Sequence, residues 1–409
     1  MKALVLCGGI PQIELMKDLK ELGIICILAD MNENVVGRKY ADKFYKVSVL
    51  DVDGVKQLAI FEKVDFIITV CADQVLKVMA QVSEELGLPC YIDFNTSINV
   101  SDKSYMKRIF VENNIPTSKF VIMDKFDENE INFLRYPLIV KPIDSYSSRG
   151  VRKVSDIQEL KKAFCEALEI SRDKKVVIEE FVEGNELTVD AYVEEGTVHI
   201  LCVSKLDKIP GSDKFVIYRT NYPAGISEEI YIKIKEIAQK ITDAFKLKNT
   251  PMLIQGITDN GTFSVVEFCA RTGGGDKFRL IKKVSGFDVI KAVIDLTLGN
   301  KPHLELIKYD NQYIIDEFLY CKEGVFNHLE GFEEILSENI ISEYYQLKTK
   351  GTECGEIRSS GDRVAYLTIE ADSYEELIEK HKIVNNRIKV VDNNGKDILR
   401  HDLLDSFEK

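Results

Sequence analysis

The sequence predicts a mixed α/β and α+β protein in three parts: an N-terminal parallel βαβ, Rossmann-like domain over residues 1–95, a central α+β domain over 96–300 and a mixed α+β C-terminal domain over 301–409. Three observations predict it. Short apolar runs alternate with helix-spaced segments as far as Asn95, strands then come in runs with helices set apart, and after Gly299, Asn300 and Pro302 the character shifts again. A chain of 409 residues is long for one core, since about 150 residues make a typical domain.

In the first part, Ala3 to Cys7 is an apolar strand closed by Gly8 and Gly9, and the helix-spaced segment IELMKDLKELG follows it. The strands IICILAD and FIITVCA, the helix LKVMAQVSEELG and a short strand CYI after Pro89 complete the alternation. Gly8 and Gly9 after a strand, with Asp30 ending the next, suggest a dinucleotide site. However, the third and sixth positions of the G-x-G-x-x-G pattern are missing, with Ile10, Pro11 and Ile13 in the loop, so the glycines are read as a tight turn at a substrate-facing loop.

The central part opens on an N-cap at Ser101-Asp102 before the helix SYMKRIFVENN. The strands KFVIM, YPLIVKP and GVRKV, the helix IQELKKAFCEALEI and the strand KVVIEEFV come next. ELTVDAYV, HILCVS, the helix EIYIKIKEIAQKITDAF and a hairpin from Gln255 to Arg271 end the part. In the last part RVAYLTIEA is a strand, and Ser373-x-x-Glu376 reads as a capping box for the helix behind it.

Composition narrows the function. Lys and Arg number 54 against 67 Asp and Glu, a net charge of −13 that argues against a nucleic-acid or anionic-membrane partner for the chain as a whole. The nine cysteines form no C-x-x-C pair and read as reduced, buried thiols. With no signal-peptide pattern and no apolar stretch of membrane length, a cytoplasmic location is expected.

Chemistry concentrates between Lys141 and Gly275. Lys141 ends a strand, and the following DSYSSRG places hydroxyls, an Arg and a Gly where phosphate oxygens could be met. In VVIEEFVEGNE, backbone groups at Glu180 and Val182 could pair with an adenine edge, and Glu186 could accept hydrogen bonds from ribose hydroxyls. In SVVEFCARTGGG, strand alternation puts Glu267, Cys269 and Arg271 on one face and Val266, Phe268 and Ala270 on the other. Gln255 joins Glu267 only if the hairpin has the right register: a two-residue Asn260-Gly261 turn pairs Gln255 with Val266, whereas a three-residue turn with a left-handed Gly261 aligns the two oxygen donors, and the three-residue turn is expected.

In this order these segments resemble the ATP-grasp superfamily, in particular its carboxylate–amine ligases, among them phosphoribosylglycinamide synthetase-like enzymes, and the synthetic domains of carbamoyl-phosphate synthetase. The resemblance covers roughly residues 101–300 and extends loosely to both flanking domains, making the first a pre-ATP-grasp domain and the second two-lobed, with a flexible lobe over about 118–186. It implies ATP and Mg²⁺, with Mn²⁺ as a substitute. By position it places Lys103 and Lys141 on the nucleotide, Ser147, Ser148, Arg149 and Gly150 in the loop over the triphosphate, and Glu179, Glu180 and Val182 at the adenine hinge, with Glu186 at the ribose. Gln255 and Glu267 fall at the metal ligands, Arg271 at the arginine that steadies the acyl phosphate, and Lys205 near a further substrate-side lysine, with Lys208 equally placed for that role.

Three departures mark this chain. Gln255 stands where an acid is common, Cys269 where an Asn is usual, and the phosphate loop is poor in glycine. A neutral thiol is a poor magnesium ligand, which weakens a second metal site. The activity implied is amide or peptide bond formation from small-molecule carboxylate and amine substrates, releasing ADP and phosphate. Phosphoribosylamine–glycine ligation and a catalytically silent ATP-binding module stand as alternatives, and a homodimer is a further expectation.

Overall fold

A computed structural model describes residues 1–144, 149–211, 215–259, 261–275, 277–307 and 312–405. The chain begins with β1 (Lys2–Leu6), α1 (Ile10–Glu21), β2 (Ile25–Ala29), β3 (Lys43–Tyr45), α2 (Val52–Glu62), β4 (Phe66–Ile68) and α3 (Asp73–Leu86). The four strands form a parallel sheet in the order β3-β2-β1-β4. Leu4, Leu6 and Ile27 pack into one apolar cluster and Ala3, Val5 and Leu28 into another, so both faces are covered, as parallel strands require.

Gly8 owes its place to packing: a Cβ there would lie 2.8 Å from Val35, its amide donates to Asp30 Oδ2 at 3.0 Å, and its carbonyl accepts from Gly37 at 2.8 Å. The acid that a dinucleotide ribose would need is thereby spent on the turn. The strand expected at Cys90–Ile92 is absent: the segment pairs with no strand and runs straight into α4 (Phe94–Ser101), capped by Asp93. Asp102 then caps α5 (Lys103–Glu112), accepting from the Ser104 and Tyr105 amides.

Next come β5 (Phe120–Met123), β6 (Leu138–Pro142), β7 (Arg152–Val154), α6 (Ile157–Ile170) and β8 (Val176–Glu180). These strands form an antiparallel sheet in the order β5-β8-β6-β7, and α6 packs Leu160, Phe164 and Ala167 into its apolar core. The chain continues through β9 (Asn185–Glu194), β10 (Thr197–Lys208), β11 (Ile217–Tyr222), α7 (Glu228–Ala244), β12 (Thr250–Asp259), β13 (Thr262–Cys269), α8 (Lys277–Ser285) and α9 (Val289–Thr297).

The last part holds β14 (Tyr313–Leu319), β15 (Gly324–Glu330), α10 (Phe332–Ser337), β16 (Glu343–Gln346), β17 (Glu353–Cys354), β18 (Ala365–Ala371), α11 (Tyr374–Arg387), β19 (Lys389–Asp392) and α12 (His401–Leu404). One eight-stranded sheet, in the order β13-β12-β9-β10-β11-β14-β18-β16, runs from the central part into this one. Hydrogen-bonded ladders therefore carry C-terminal side chains to fixed places on the same sheet as the Gln255 hairpin. Ser373 caps α11 as expected, accepting from the Glu376 amide, while the Glu376 carboxylate turns to the Asp372 amide rather than to the cap itself.

The cysteines correct one expectation. All nine are free thiols, but only Cys26, Cys202 and Cys321 are buried, and Cys165 is exposed on the amphipathic α6. Among the described residues no helix is long and apolar enough to cross a membrane.

Beneath the sheet α11 is pinned by charge. Arg219 Nε donates to Glu317 Oε1 at 2.5 Å, His381 Nε2 lies 2.8 Å from the same oxygen, and all three residues are buried. Burial would raise the Glu317 carboxyl, but Arg219 and His381 hold it below the usual carboxylate range. Glu317→Ala strands the Arg219 charge in the core and is expected to cost about 3–5 kcal/mol in urea unfolding.

Candidate functional site

Two cavities meet at the β12–β13 hairpin. The smaller, of about 200 Å³, lies between the antiparallel β5-β8-β6-β7 sheet and the eight-stranded sheet. Lys103, Lys141, Arg149, Glu179, Glu180, Val182, Glu186, Gln255 and Glu267 all line it. Gly150 stands just outside, with φ +77° and with Pro142 2.9 Å from where a Cβ would be, so the left-handed turn and the close approach both call for glycine. Ser147 and Ser148 lie outside the described residues.

Glu179 takes a different part from the adenine-facing one expected of it. Its carboxylate bonds the Lys141 ammonium on one oxygen and, on the other, Lys107 Nζ at 2.8 Å and Ser118 Oγ at 2.8 Å. All three charged side chains are buried. Burial would raise the Glu179 carboxyl, yet the two lysines hold it far below the ordinary range. Burial lowers the Lys107 ammonium, whereas at Lys141 Glu179 outweighs burial and raises it. Glu179 thus positions Lys141. The Glu180 carboxylate is engaged by Arg135, accepting from its amide at 3.1 Å.

Strand alternation separates the two candidate lysines. Ser204, Leu206 and Lys208 share one face of β10, and Lys208 lines the cavity, paired with Glu186 and 4.8 Å above the Phe215 ring. Lys205 alternates to the other face, 3.4 Å from Asp207, and lines an adjoining groove that Glu186 and Lys208 also border. Of the two lysines placed equally by the sequence, Lys208 lines the smaller cavity and Lys205 does not, and neither lines the larger one.

The hairpin reaches the expected alignment by an unexpected route. Asp259 pairs with Thr262, leaving two residues between the strands, so the three-residue turn is wrong. The register then shifts between Gln255 and Gly256: Gly256 pairs with Val265 but Gln255 with Glu267. Val266 is the extra residue of a β-bulge, and it too lines the smaller cavity instead of joining Phe268 on the buried face. Lys103 Nζ stands 3.5 Å from Glu267 Oε2.

The larger cavity, of about 510 Å³, shares Gln255 and Glu267 with the first and adds Arg271, the glycines 273–275, Lys277 and residues of β14. Arg271 is gripped through Nε and Nη2 by both oxygens of Asp73 and donates from Nη1 to its neighbour's carbonyl, Thr272 O, at 2.7 Å. Burial works to raise the Asp73 carboxyl, but Arg271 holds it below the usual range. Cys269 beside them is a thiol whose pKa burial pushes well up, so it stays protonated.

Sequence reasoning missed two members of this set. Lys107 carried a signal, since it lies four residues after Lys103 and shares its helix face. Asp73 follows the β4 strand end, where ligands of parallel sheets gather, but its partner is 198 positions away.

Comparison with known proteins adds to this geometry. Residues 134–278 match the family model of the ATP-grasp domain, and residues 317–392 match that of L-amino acid ligase C-terminal domain 2. A formate-dependent phosphoribosylglycinamide formyltransferase of Methanocaldococcus jannaschii is 24% identical over 343 residues, covering 78% of this chain and 85% of its own. A D-alanine–D-alanine ligase of Bacillus velezensis is 28% identical over 234 residues, covering 51% of this chain, which spans 64% of that relative's length. Among solved structures, the L-amino acid ligase of Bacillus licheniformis superposes with a TM-score of 0.81 at 20% identity, covering 96% of this chain and 99% of the other. The central part of the chain thus carries an ATP-grasp domain, and its C-terminal part is similar to the second C-terminal domain of L-amino acid ligases.

Glu179→Gln should expose how far the lysine pair depends on one carboxylate. A carboxyl held low in the fold stabilises above its unfolded pKa of about 4.3 and loses that contribution only as pH falls through its depressed folded value. At pH 7 the variant is therefore expected to lose about 3–5 kcal/mol in denaturant titration and, with Lys141 unanchored, to bind ATP more weakly by calorimetry.

Proposed function

We propose that this ATP-grasp ligase activates a carboxylate as an acyl phosphate and passes it to an amine, and that its substrates are amino acids or short peptides. The observation that carries the proposal is Gln255 paired directly with Glu267, both side chains lining the two cavities at once. They stand where a nucleotide held in one would meet a substrate held in the other.

The oxygens of Gln255 and Glu267 suit Mg²⁺, which takes one or two protein oxygens and fills its shell with phosphate oxygens and water. Among the described residues no three His, Cys, Asp or Glu side chains gather into an all-protein cage, in keeping with such a shared site. The protonated Cys269 adds no ligand. When bound, Mg²⁺, or Mn²⁺ in its place, would neutralise and orient phosphate oxygens.

The residues divide the remaining work. Lys141, fixed by Glu179, and Lys103 face the phosphates. The Glu180–Val182 backbone offers an edge to adenine, and Glu186, paired with Lys208, offers oxygens to the ribose. At the larger cavity the substrate carboxylate lies against Arg271 and attacks the γ-phosphorus, and ADP departs. The amine then attacks the acyl carbon and expels phosphate, its surplus proton passing to phosphate or water. Arg271, oriented by Asp73 before any ligand arrives, meets the oxyanion that forms on the way. The match to the L-amino acid ligase C-terminal domain and the similarity to D-alanine–D-alanine ligase support amino acids as substrates.

Purified protein with ATP, Mg²⁺ and a panel of amino acids is expected to release ADP and phosphate in step with a condensed product seen by mass spectrometry. Arg271→Ala should lower kcat by about 10²–10³, as loss of an oxyanion donor does, while calorimetric ATP binding stays intact. Release of AMP and pyrophosphate would refute the acyl-phosphate route.

A further inference from the structure

The larger cavity carries charge that phosphoryl transfer does not use. Beyond the glycines 273–275 its wall is made by Asp316 and Phe318 of β14 and by Ser360 and Arg363 ahead of β18. Asp316 is only 4% exposed. Thr368 donates to its Oδ1 at 2.8 Å, and among the described residues no donor lies within hydrogen-bond distance of Oδ2.

The nearest cation is already committed. Lys277 donates to Ser204 Oγ and also faces Asp190, a carboxylate buried to 1% exposure. Lys277 acts on both carboxylates, but Arg271, which also acts on Asp190, is held by Asp73, and Arg279, which also acts on Asp316, is bonded to Glu14 and Glu343. Burial pushes both carboxyl groups up, as expected of acids short of a counter-cation.

Arg363 is the complement. Its Nε donates to Tyr320 Oη at 3.1 Å, Nη2 donates to Ile217 O at 3.3 Å, and the guanidinium lies 3.6 Å over the Phe318 ring. Nη1 reaches toward the glycine wall, 4.0 Å from where a Cβ on Gly275 would stand. Asp316 and Phe318, two apart on one strand, share a face about 7 Å apart, so the carboxylate and the guanidinium flank one stretch of cavity.

Peptide-bond formation leaves two charges that do not react. The acyl donor spends its carboxylate and keeps its ammonium, while the acceptor spends its amine and keeps its carboxylate. We infer, on the basis of the ligase activity proposed for this same site, that Asp316 holds the α-ammonium of the donor and Arg363 the α-carboxylate of the acceptor, so that the substrates are two α-amino acids or an amino acid and a peptide. Simple carboxylates and simple amines lack those handles and are poor substrates. Asp316 and Arg363 are specificity residues and touch no reacting atom.

The test is steady-state phosphate release by the full chain, by Asp316→Asn and by Arg363→Gln. Donors are α-amino acids against their desamino analogues, and acceptors are free amino acids against their α-amides. A lost charge-assisted hydrogen bond is worth roughly tenfold to hundredfold in binding. Asp316→Asn should raise the donor KM by that factor and abolish preference for the amino group, leaving the acceptor KM unchanged. Arg363→Gln should do the converse, and an unchanged KM for ATP in both would show the fold intact. Wild-type protein that uses desamino acids and amides as well as amino acids, or variants that shift both constants together, would overturn the assignment while leaving the ligase activity standing. Were no pair of compounds to release phosphate, the ligase activity would fall, and calorimetry with an amino acid and ADP would decide the anchors: binding lost in Asp316→Asn sustains them, and no binding by wild type overturns them.

Discussion

One extra residue in β13 sets the chemistry of the whole centre. With two residues between β12 and β13, an unbroken ladder would pair Gln255 with Val266 and turn Glu267 to the far side of the sheet. The bulge at Val266 brings Glu267 opposite Gln255. Its partner strand is built for the shift, because a Cβ at Gly256 would lie 2.3 Å from the Phe263 ring and 2.8 Å from Ser264 O, so only glycine stands there. The outer edge of β13 is clamped at the same point: the Val265 amide donates to Pro116 O at 2.7 Å and Val265 O accepts from Thr117 Oγ1 at 2.8 Å. Thr117 in turn accepts from Lys107, so the bulge and the lysine pair on Glu179 belong to one bonded network.

From that point the site extends by two rigid attachments. The Asp73–Arg271 pair fastens the C-terminal end of the parallel sheet to the end of the hairpin, and a doubly bonded carboxylate–guanidinium fork fixes direction as well as distance. The eight-stranded sheet carries the other attachment, since β14 reaches Asp316 through continuous ladders. Arg279 of α8 seals the seam, bonding Glu14 of α1 at 3.1 Å and Glu343 of β16 at 2.7 Å. The groups proposed for catalysis and specificity, drawn from all three parts of the chain, therefore share one frame.

What was legible in the sequence follows from range. Lys141, Glu186, Glu267 and Arg271 stood out because a polar group at a fixed step along an apolar strand is a local signal, and the period of two assigns its face. The same rule could have preferred Lys208 to Lys205 once Glu186 and Leu206 were known to be paired, but that pairing is a property of the folded sheet. The bulge was illegible because a turn length and a register shift compensate each other, and the strand pattern alone does not say which occurs. The tie between Asp73 and Arg271, and the arrival of Asp316 and Arg363, depend on contacts across most of the chain. Glu179 was found but misread, since its two lysines come from different elements.

The pairing of cations with acids throughout the site has a physical reason. Lys141 with Glu179, Lys103 with Glu267, Lys208 with Glu186 and Arg271 with Asp73 are each a charge that would meet an anionic ligand, held by a carboxylate in the meantime. An unpaired buried cation would shed its proton or cost several kcal/mol, and a flexible one would have to be ordered again at every binding event. Pairing meets both demands and keeps each ammonium or guanidinium aimed at the cavity. It also reconciles a net charge of −13 with a polyanionic substrate. At physiological ionic strength charges beyond about 8 Å are screened, so the ligand's binding answers to the few groups that line the cavity and hardly at all to the sum over the surface.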